Sequence, residues 1–571
     1  MKKLLASILC AALCLAALPA LGESAPVFKA GTYTATAYGM GGQYPVTMTF
    51  SDTEILSIDA SENHETVMVG TEAIRILRER ILENQSLDLD AVSAATVSSY
   101  GFIRAVEACV KQSGADVDAL KAKKITIDTY EDDPHQADVI VVGGGLAGLS
   151  TAVNCEKNGK HTILLEQRGF MGGHTVLAAG TLLLGGTKLQ AELGVEDSGE
   201  SFNQFMIDFG QGDKDPAQTQ LVSKHAQDAY DFVIDMGGHF DTTQVTITEG
   251  TYRGHSFEPN IGEAFSSMAE SMVNLGVDVR YYTHVYDLIQ DDAGSVIGVR
   301  ATDYYGNETE YYGDSIVLAS GGYAGSKEML MQYWGEKYQN LVYGGLKGTD
   351  GTLIRAAMAL GADAVDMENP HLDACADLNT GITITAALST KGGAITVRPS
   401  TAQRFANESA NHAEDLAAAM LDIGDPWYVI IYDDTAFDVS SSLSYKAGFY
   451  NNAGLVHKYD TLEALAAAYG MDASVLQQTI DDYNAAVRGE KADEFGRVAF
   501  NKEISAPFYA AKVTNGVTTT TGGLKVNDHM QVVNTEGSVI PNLYAAGETA
   551  GGFRIHYISG SSLTHGIVSA I

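Results

Sequence analysis

Three observations on the 571-residue sequence predict an α/β protein of more than one domain. A glycine-rich turn, GGGLAG, separates the apolar run ADVIVV from a helix-like stretch. The next apolar run, HTILLEQ, closes on an acid. Near residue 137 the pattern changes, so that a small region of hairpin and helices precedes a longer α/β region. The length suits two to four domains. Sixty glycines against eleven prolines suit a globular chain with many tight turns. A net charge of −36 argues against nucleic acid or an anionic membrane surface as a partner.

The chain begins MKKLLASILCAALCLAALPALG. Lys2 and Lys3 form a positive start, Leu4 to Leu18 is apolar but short for a membrane span, and Ala20-Leu21-Gly22 is a small-residue cleavage site. Residues 1–22 therefore read as a secretory signal peptide, and the protein is expected outside the cytoplasmic membrane. Beyond it stand Cys109, Cys155 and Cys375, scattered and without CxxC or CxxCH spacing. That pattern excludes a disulfide framework, a zinc ribbon, a cysteine-held iron–sulfur cluster and an attached haem.

Residues 27–114 hold the first domain. TYTATAY and YPVTMTF alternate around a glycine turn and read as a β-hairpin. Ala73 to Leu82 reads as an amphipathic helix, and Thr96 to Val110 as a second with Val97, Ile103, Val106 and Val110 on its buried side. Just before it lies DAVSAATVSSYGF, Asp90 to Phe102, whose small residues suit a helix start capped by Ser93 or Thr96. Residues 115–136 are a linker, with KKITIDTYEDDPHQ charged and polar around a short strand.

From Ala137 the order is strand, glycine turn, helix, strand. Gly143, Gly145 and Gly148 fit G-x-G-x-x-G, serving a tight turn, close approach of backbone to a pyrophosphate, and close helix–strand packing. The helix N-terminus faces the phosphates. Glu166 ends the second strand, where a carboxylate accepts hydrogen bonds from ribose hydroxyls. These features together predict a Rossmann-like dinucleotide-binding domain.

GFMGGHTVLAAG, VLASGGYAGS, LKGTDGTLIRAAMALGADA and NLYAAGETAGG follow in that order. From Ala137 onward the chain resembles the FAD-binding domain of the fumarate reductase and succinate dehydrogenase flavoprotein family, which includes urocanate reductases and ketosteroid dehydrogenases. The resemblance implies FAD contacts at Glu166, His174, Thr175, Gly180, Val285, Asp350, Glu548 and Leu563. It also implies an FAD-binding domain over 137–368 and 513–571, with an α+β cap domain, 369–512, inserted and closing over the flavin. The chain stops at GIVSAI, inside a helix that relatives continue. His174 stands where soluble members carry Asn and membrane-complex members carry a histidine bonded covalently to FAD. Non-covalent FAD is the expectation here, covalent attachment the alternative.

GTYTATAYGMGG, SENHET and DAVSAATVSS resemble an FMN-binding domain of exported flavoproteins and sodium-pumping quinone reductases. There, a flavin transferase joins FMN through its phosphate to the last residue of Asp-x-x-Ser-Gly-Ala-Thr. The match is Asp90, Ser93, Ala95 and Thr96, which implies covalent FMN on Thr96. Ala94 replaces the glycine, and a left-handed backbone there would be strained. A second flavin implies a path from a membrane-associated donor to FMN, then FAD, then substrate.

Fumarate-reducing relatives hold two carboxylates with two histidines and two arginines. Asp373, His412, Thr519 and Ile558 occupy those places, so none is retained and a dicarboxylate fits poorly. RFANES…H and HYISGSSLTHG are closer to the ketosteroid-type branch. That likeness implies His412 as a proton-transfer group and Tyr557 as a donor to a carbonyl or enolate oxygen, and Asp373, at the first of the four places, is a further catalytic candidate. Arg554 or His556 would bind a single carboxylate, and Arg404 with Glu408 reads as a structural pair. The expected activity is hydride transfer from FAD to an activated C=C bond of a small enone, steroid-like ketone or enoate. The alternatives are a dehydrogenase working in reverse and an electron relay without its own substrate.

Overall fold

The computed structural model describes residues 27–209, 216–248, 250–384, 393–408, 413–436, 448–498, 502–553 and 557–571. The expected leader, His412, Arg554 and His556 lie outside them.

The N-terminal domain is a three-stranded antiparallel sheet, β1 (Gly31–Gly39), β2 (Gly42–Phe50) and β3 (Ile55–Asp59), covered by α1 (Gly70–Asn84) and α2 (Thr96–Gln112). Strand alternation turns Val46, Met48 and Phe50 inward, and α1 meets them with Ile74, Leu77 and Ile81. Helix α2 contributes Phe102, Val106, Cys109 and Val110 to the same core. Val97 departs from the sequence expectation and is 54% exposed. It lies nine residues before Val106, half a turn out of phase at 3.6 residues per turn. Neither Ser93 nor Thr96 caps α2: the N-cap is Ala95, without a side-chain bond. Ala94 is left-handed, at φ 72°.

The linker forms a helical turn, Val117–Lys121, capped by the Asp116 carboxylate. The expected short strand after it pairs with no other strand among the described residues. Its Ile127 N–H donates instead to the Tyr305 hydroxyl, at 2.8 Å.

The second domain is built on a mixed sheet. Strand β4 (Gln136–Val142) leads into α3 (Leu146–Lys157), then β5 (Thr162–Leu165), β6 (Asp278–Arg280), β7 (His284–Gln290), β8 (Val296–Thr302) and β9 (Glu308–Leu318). The order is β7-β8-β9-β4-β5-β6: β4, β5, β6 and β9 run parallel, and β7-β8-β9 form an antiparallel edge. β4 and β5 are nearly continuous apolar runs because both their faces are covered.

A seven-stranded sheet forms the third body, with β10 (Tyr428–Asp433) antiparallel to β11 (Phe508–Val517). Helices Leu462–Tyr469 and Ala473–Val487 cover it, enclosing Val397, Ile431, Leu465, Leu476 and Ile480. Arg404 pairs with Glu408 at 2.6 Å and with Asp493 at 2.5 Å, and Arg497 joins Glu408 at 3.3 Å. Every charge in this buried group has an opposite neighbour, as a dry ion cluster requires. Strand β12 (Val539–Ala545) then returns to pair parallel with β9, and α4 (Ser561–Val568) packs on α3. Cys109, Cys155 and Cys375 are free thiols.

Candidate active site

A cleft of about 480 Å³ opens at the carboxyl ends of β4, β5 and β9, where an open α/β sheet places its ligands. Gly143, which follows β4, has φ 109°, and a Cβ there would fall 2.3 Å from the Ala319 carbonyl oxygen. At Gly148 a Cβ would fall 1.8 Å from the Gly143 carbonyl, so this glycine sets the helix–strand approach and does not line the cleft. Gly145 does line it, and a Cβ there would meet nothing closer than 3.8 Å. That leaves bare backbone at the start of α3, where the first amides point at a ligand.

Glu166 is almost fully buried beyond β5. One of its oxygens accepts from Gly144 N at 2.8 Å, the other from Arg168 N at 2.9 Å and Arg168 Nη1 at 3.2 Å. A carboxylate has about four acceptor sites, so one lone pair, on the oxygen that meets Gly144 N, remains for a ribose hydroxyl. Thr175, which lines the cleft, accepts from Leu146 N through Oγ1 at 3.0 Å. Gly180, Val285, Asp350, Glu548 and Leu563 line the same cleft. Asp350 Oδ1 closes its turn by accepting from Thr352 N at 3.0 Å. Glu548 Oε1 accepts from Thr520 N at 2.6 Å.

His174 is held by Tyr343. Its Nε2 lies 2.9 Å from the Tyr343 hydroxyl, which donates to the Leu346 carbonyl at 2.7 Å. The phenol proton is thus committed, and Nε2–H is the donor. Nδ1 faces Glu548 at 3.7 Å.

A second group of side chains lines one wall. Asp373 and Tyr557, both expected from sequence, sit there with His371, which was not. The Tyr557 and His371 rings stack at 4.3 Å and 21°. Helix Ala413–Ile423 brings Glu414 to 2.7 Å from His371 Nδ1. The carboxylate fixes the tautomer with the proton on Nδ1 and leaves Nε2 as the exchanging nitrogen, 3.9 Å from Asp373 Oδ1. Asp373 Oδ2 is buried without a hydrogen-bond partner among the described residues. Of the described residues lining the cleft, Arg168 alone carries a guanidinium, and Glu166 already holds it. Thr519 also lines the cleft, and Ile558 is fully buried.

Residues 138–563 match the family model of the FAD binding domain, and residues 39–111 match that of the FMN-binding domain. The chain belongs to the FAD-binding domain family. Its cleft fits that cofactor, since glycine-bared backbone, a helix N-terminus and a buried acid meet where a dinucleotide needs them. This flavoprotein is 29% identical to the urocanate reductase of Eggerthella lenta, over 91% of its own length and 88% of the relative's. It is 27% identical to the NADH:acrylate oxidoreductase of Vibrio harveyi over 93% of its own length, and spans 59% of that longer protein. An open-conformation flavocytochrome c3 fumarate reductase shares its fold, with TM-score 0.68 and 24% identity over 79% of this chain and 82% of that one.

Proposed function

We propose that this flavoprotein is an exported reductase of the activated C=C bond of a small enone or monocarboxylic enoate. The observation that carries the proposal is the stack of His371 on Tyr557 beside Asp373 on the wall of the FAD cleft, with Glu414 bonded to His371. FAD, when bound, supplies the hydride for the electron-poor carbon. Glu414 orients His371 through Nδ1–H, so that Nε2, after taking a proton from solvent, is the atom that delivers it to the neighbouring carbon. The Tyr557 phenol donates to the carbonyl or carboxylate oxygen and favours the charge that develops there. Asp373 disfavours a dianion, because burying a second carboxylate against it costs several kcal/mol per unpaired ion, order of magnitude. The similar proteins named for urocanate and acrylate agree with a substrate bearing one carboxylate. His412, expected as the proton-transfer group, and Arg554 or His556, expected as the carboxylate anchor, stay candidates outside the described residues. A cleft lined by its own proton-transfer side chains argues against an electron relay.

Electrons enter, on this reading, through FMN joined to Thr96 by a flavin transferase. Thr96 is exposed at the first turn of α2, whose amides lack a side-chain cap and suit a phosphate. FAD is held without a covalent bond, since His174 Nε2 is committed to Tyr343. Export outside the cytoplasmic membrane, with a membrane-associated donor, follows from the leader-like N-terminus. Among the described residues no helix is long and apolar enough to cross a membrane.

Intact mass under denaturing conditions tests this directly. Protein coexpressed with a flavin transferase should carry one FMN and no FAD adduct, and Thr96→Ala should carry none. An unmodified wild-type chain would remove the electron path.

A further inference from the structure

The two flavin-binding regions meet at an aromatic junction. Arg80 of α1 donates through Nη2 to the Tyr282 hydroxyl at 2.6 Å. Its guanidinium carbon lies 5.2 Å from the centre of the Tyr282 ring and 5.8 Å from that of Tyr304. Those two rings meet edge to face, 5.2 Å apart. Among the described residues Arg80 has no carboxylate partner, so its charge is given to the two rings.

Both tyrosines lead onward to a flavin region. Tyr304 donates to Asp90 Oδ2 at 3.2 Å, and Asp90 opens the motif that ends at Thr96. Tyr282 is left-handed at φ 57°, with its N–H on the Arg168 carbonyl at 3.0 Å, and Thr283 N donates to the Glu166 carbonyl at 3.0 Å. A Cβ at Gly169 would fall 2.0 Å from the Tyr282 hydroxyl, so that glycine keeps the place for the ring. The linker is tied to the same turn, because Tyr281 N donates to the Tyr130 hydroxyl at 3.1 Å. One arginine thus joins the FMN attachment motif to the strand end that carries the dinucleotide acid, and it does not line the cleft.

We propose that Arg80 is a positioning residue for electron transfer between the flavins: its clamp on Tyr282 and Tyr304 fixes the FMN domain where FMN reduces FAD. This rests on the reading that Thr96 carries FMN. In the step, two electrons and two protons leave reduced FMN and FAD takes up the same, with protons exchanging through solvent. A reduced viologen serves as the external reductant.

The test is anaerobic rapid mixing of holoenzyme, loaded with both flavins, with reduced viologen, following flavin absorbance. Thr96→Ala reports how fast the viologen reduces FAD directly. In Arg80→Ala the FMN should bleach as in wild type. The FAD phase should slow at least several-fold toward the Thr96→Ala rate, since a lost charge-assisted hydrogen bond shifts a docking equilibrium by that order. Arg80→Lys, which keeps the charge but loses the planar fork, should fall between. Arg80→Ala with Thr96→Ala should match Thr96→Ala alone. Unchanged FAD bleaching in Arg80→Ala with the FMN adduct confirmed by mass would overturn the clamp. A further slowing in the double variant would also overturn it, by placing the effect at FAD itself. Absence of the adduct from wild type would instead remove the premise, and the clamp with it.

Discussion

The chemistry assigned to the cleft depends on a few side chains, and each answers to its own variant. Tyr557→Phe keeps the ring stacked on His371 but removes its donor. Reduction of an enoate should slow by about 10²-fold, the low end of what a positioned acid contributes, while bound FAD stays unchanged in the visible spectrum. His371→Gln should slow the same step with FAD retained. Equal turnover in both variants and wild type would take the proton step away from this wall. Ala94 gives a prediction of another kind. An L-residue at φ 72° stores strain of about 1–2 kcal/mol, partly offset by the entropy that glycine loses on folding. Ala94→Gly should therefore stabilise the N-terminal domain by about 0.5–1 kcal/mol in denaturant unfolding. Ala94 was visible in the sequence because it interrupts a motif. His371 was not, because a lone histidine in NPHLDA has no pattern, and its partner Glu414 arrives 43 residues later on a separate helix.

Among elements, those with a strong apolar period were legible: the hairpin β1–β2, helices α1 and α2, and the strand, turn and helix of β4 and α3. Where the sequence misled, a local pattern lacked its tertiary partner. Val97 is apolar yet faces solvent at the first turn of α2, and the linker segment at Ile127 meets a tyrosine where a strand was expected. The strand Thr251–Ser256 carries a histidine the sequence did not single out. His255 is fully buried, with Nδ1–H donating to the Arg253 carbonyl at 3.0 Å and Nε2 accepting from Thr187 Oγ1 at 2.9 Å. Burial pulls its pKa from 6.5 to about 4, although the Asp197 carboxylate nearby favours the charged form. The folded pKa lies below the unfolded one, so the unfolded chain binds the extra proton between these values. Stability from this residue is complete above about pH 6.5 and is lost as pH falls toward 4, by up to about 3 kcal/mol. Unfolding of the FAD domain followed from pH 7 to 4.5 should show that slope, reduced in His255→Gln. An identical slope in the variant would contradict it.

At the scale of the whole molecule, the order of glycine motifs carried the reading furthest, because each glycine answers to a fixed backbone need along the sheet. The sequence did not disclose how the regions meet. The junction of Arg80 with Tyr282 joins residues 202 positions apart, and no local pattern marks such a pair. In the proposed function, substrate choice also belongs to the assembled cleft, where the buried Asp373 oxygen without a hydrogen-bond partner among the described residues is the feature that opposes a dianion. The decisive measurement is anaerobic reoxidation of the fully reduced holoenzyme by a panel of alkenes, with the products identified. Acrylate-type monocarboxylic enoates or small enones should reoxidise the flavin and yield the saturated product, and fumarate should be slower by at least about tenfold, as ~1.4 kcal/mol of charge mismatch implies. Fumarate as the fastest oxidant, or no saturated product from any alkene, would contradict the account.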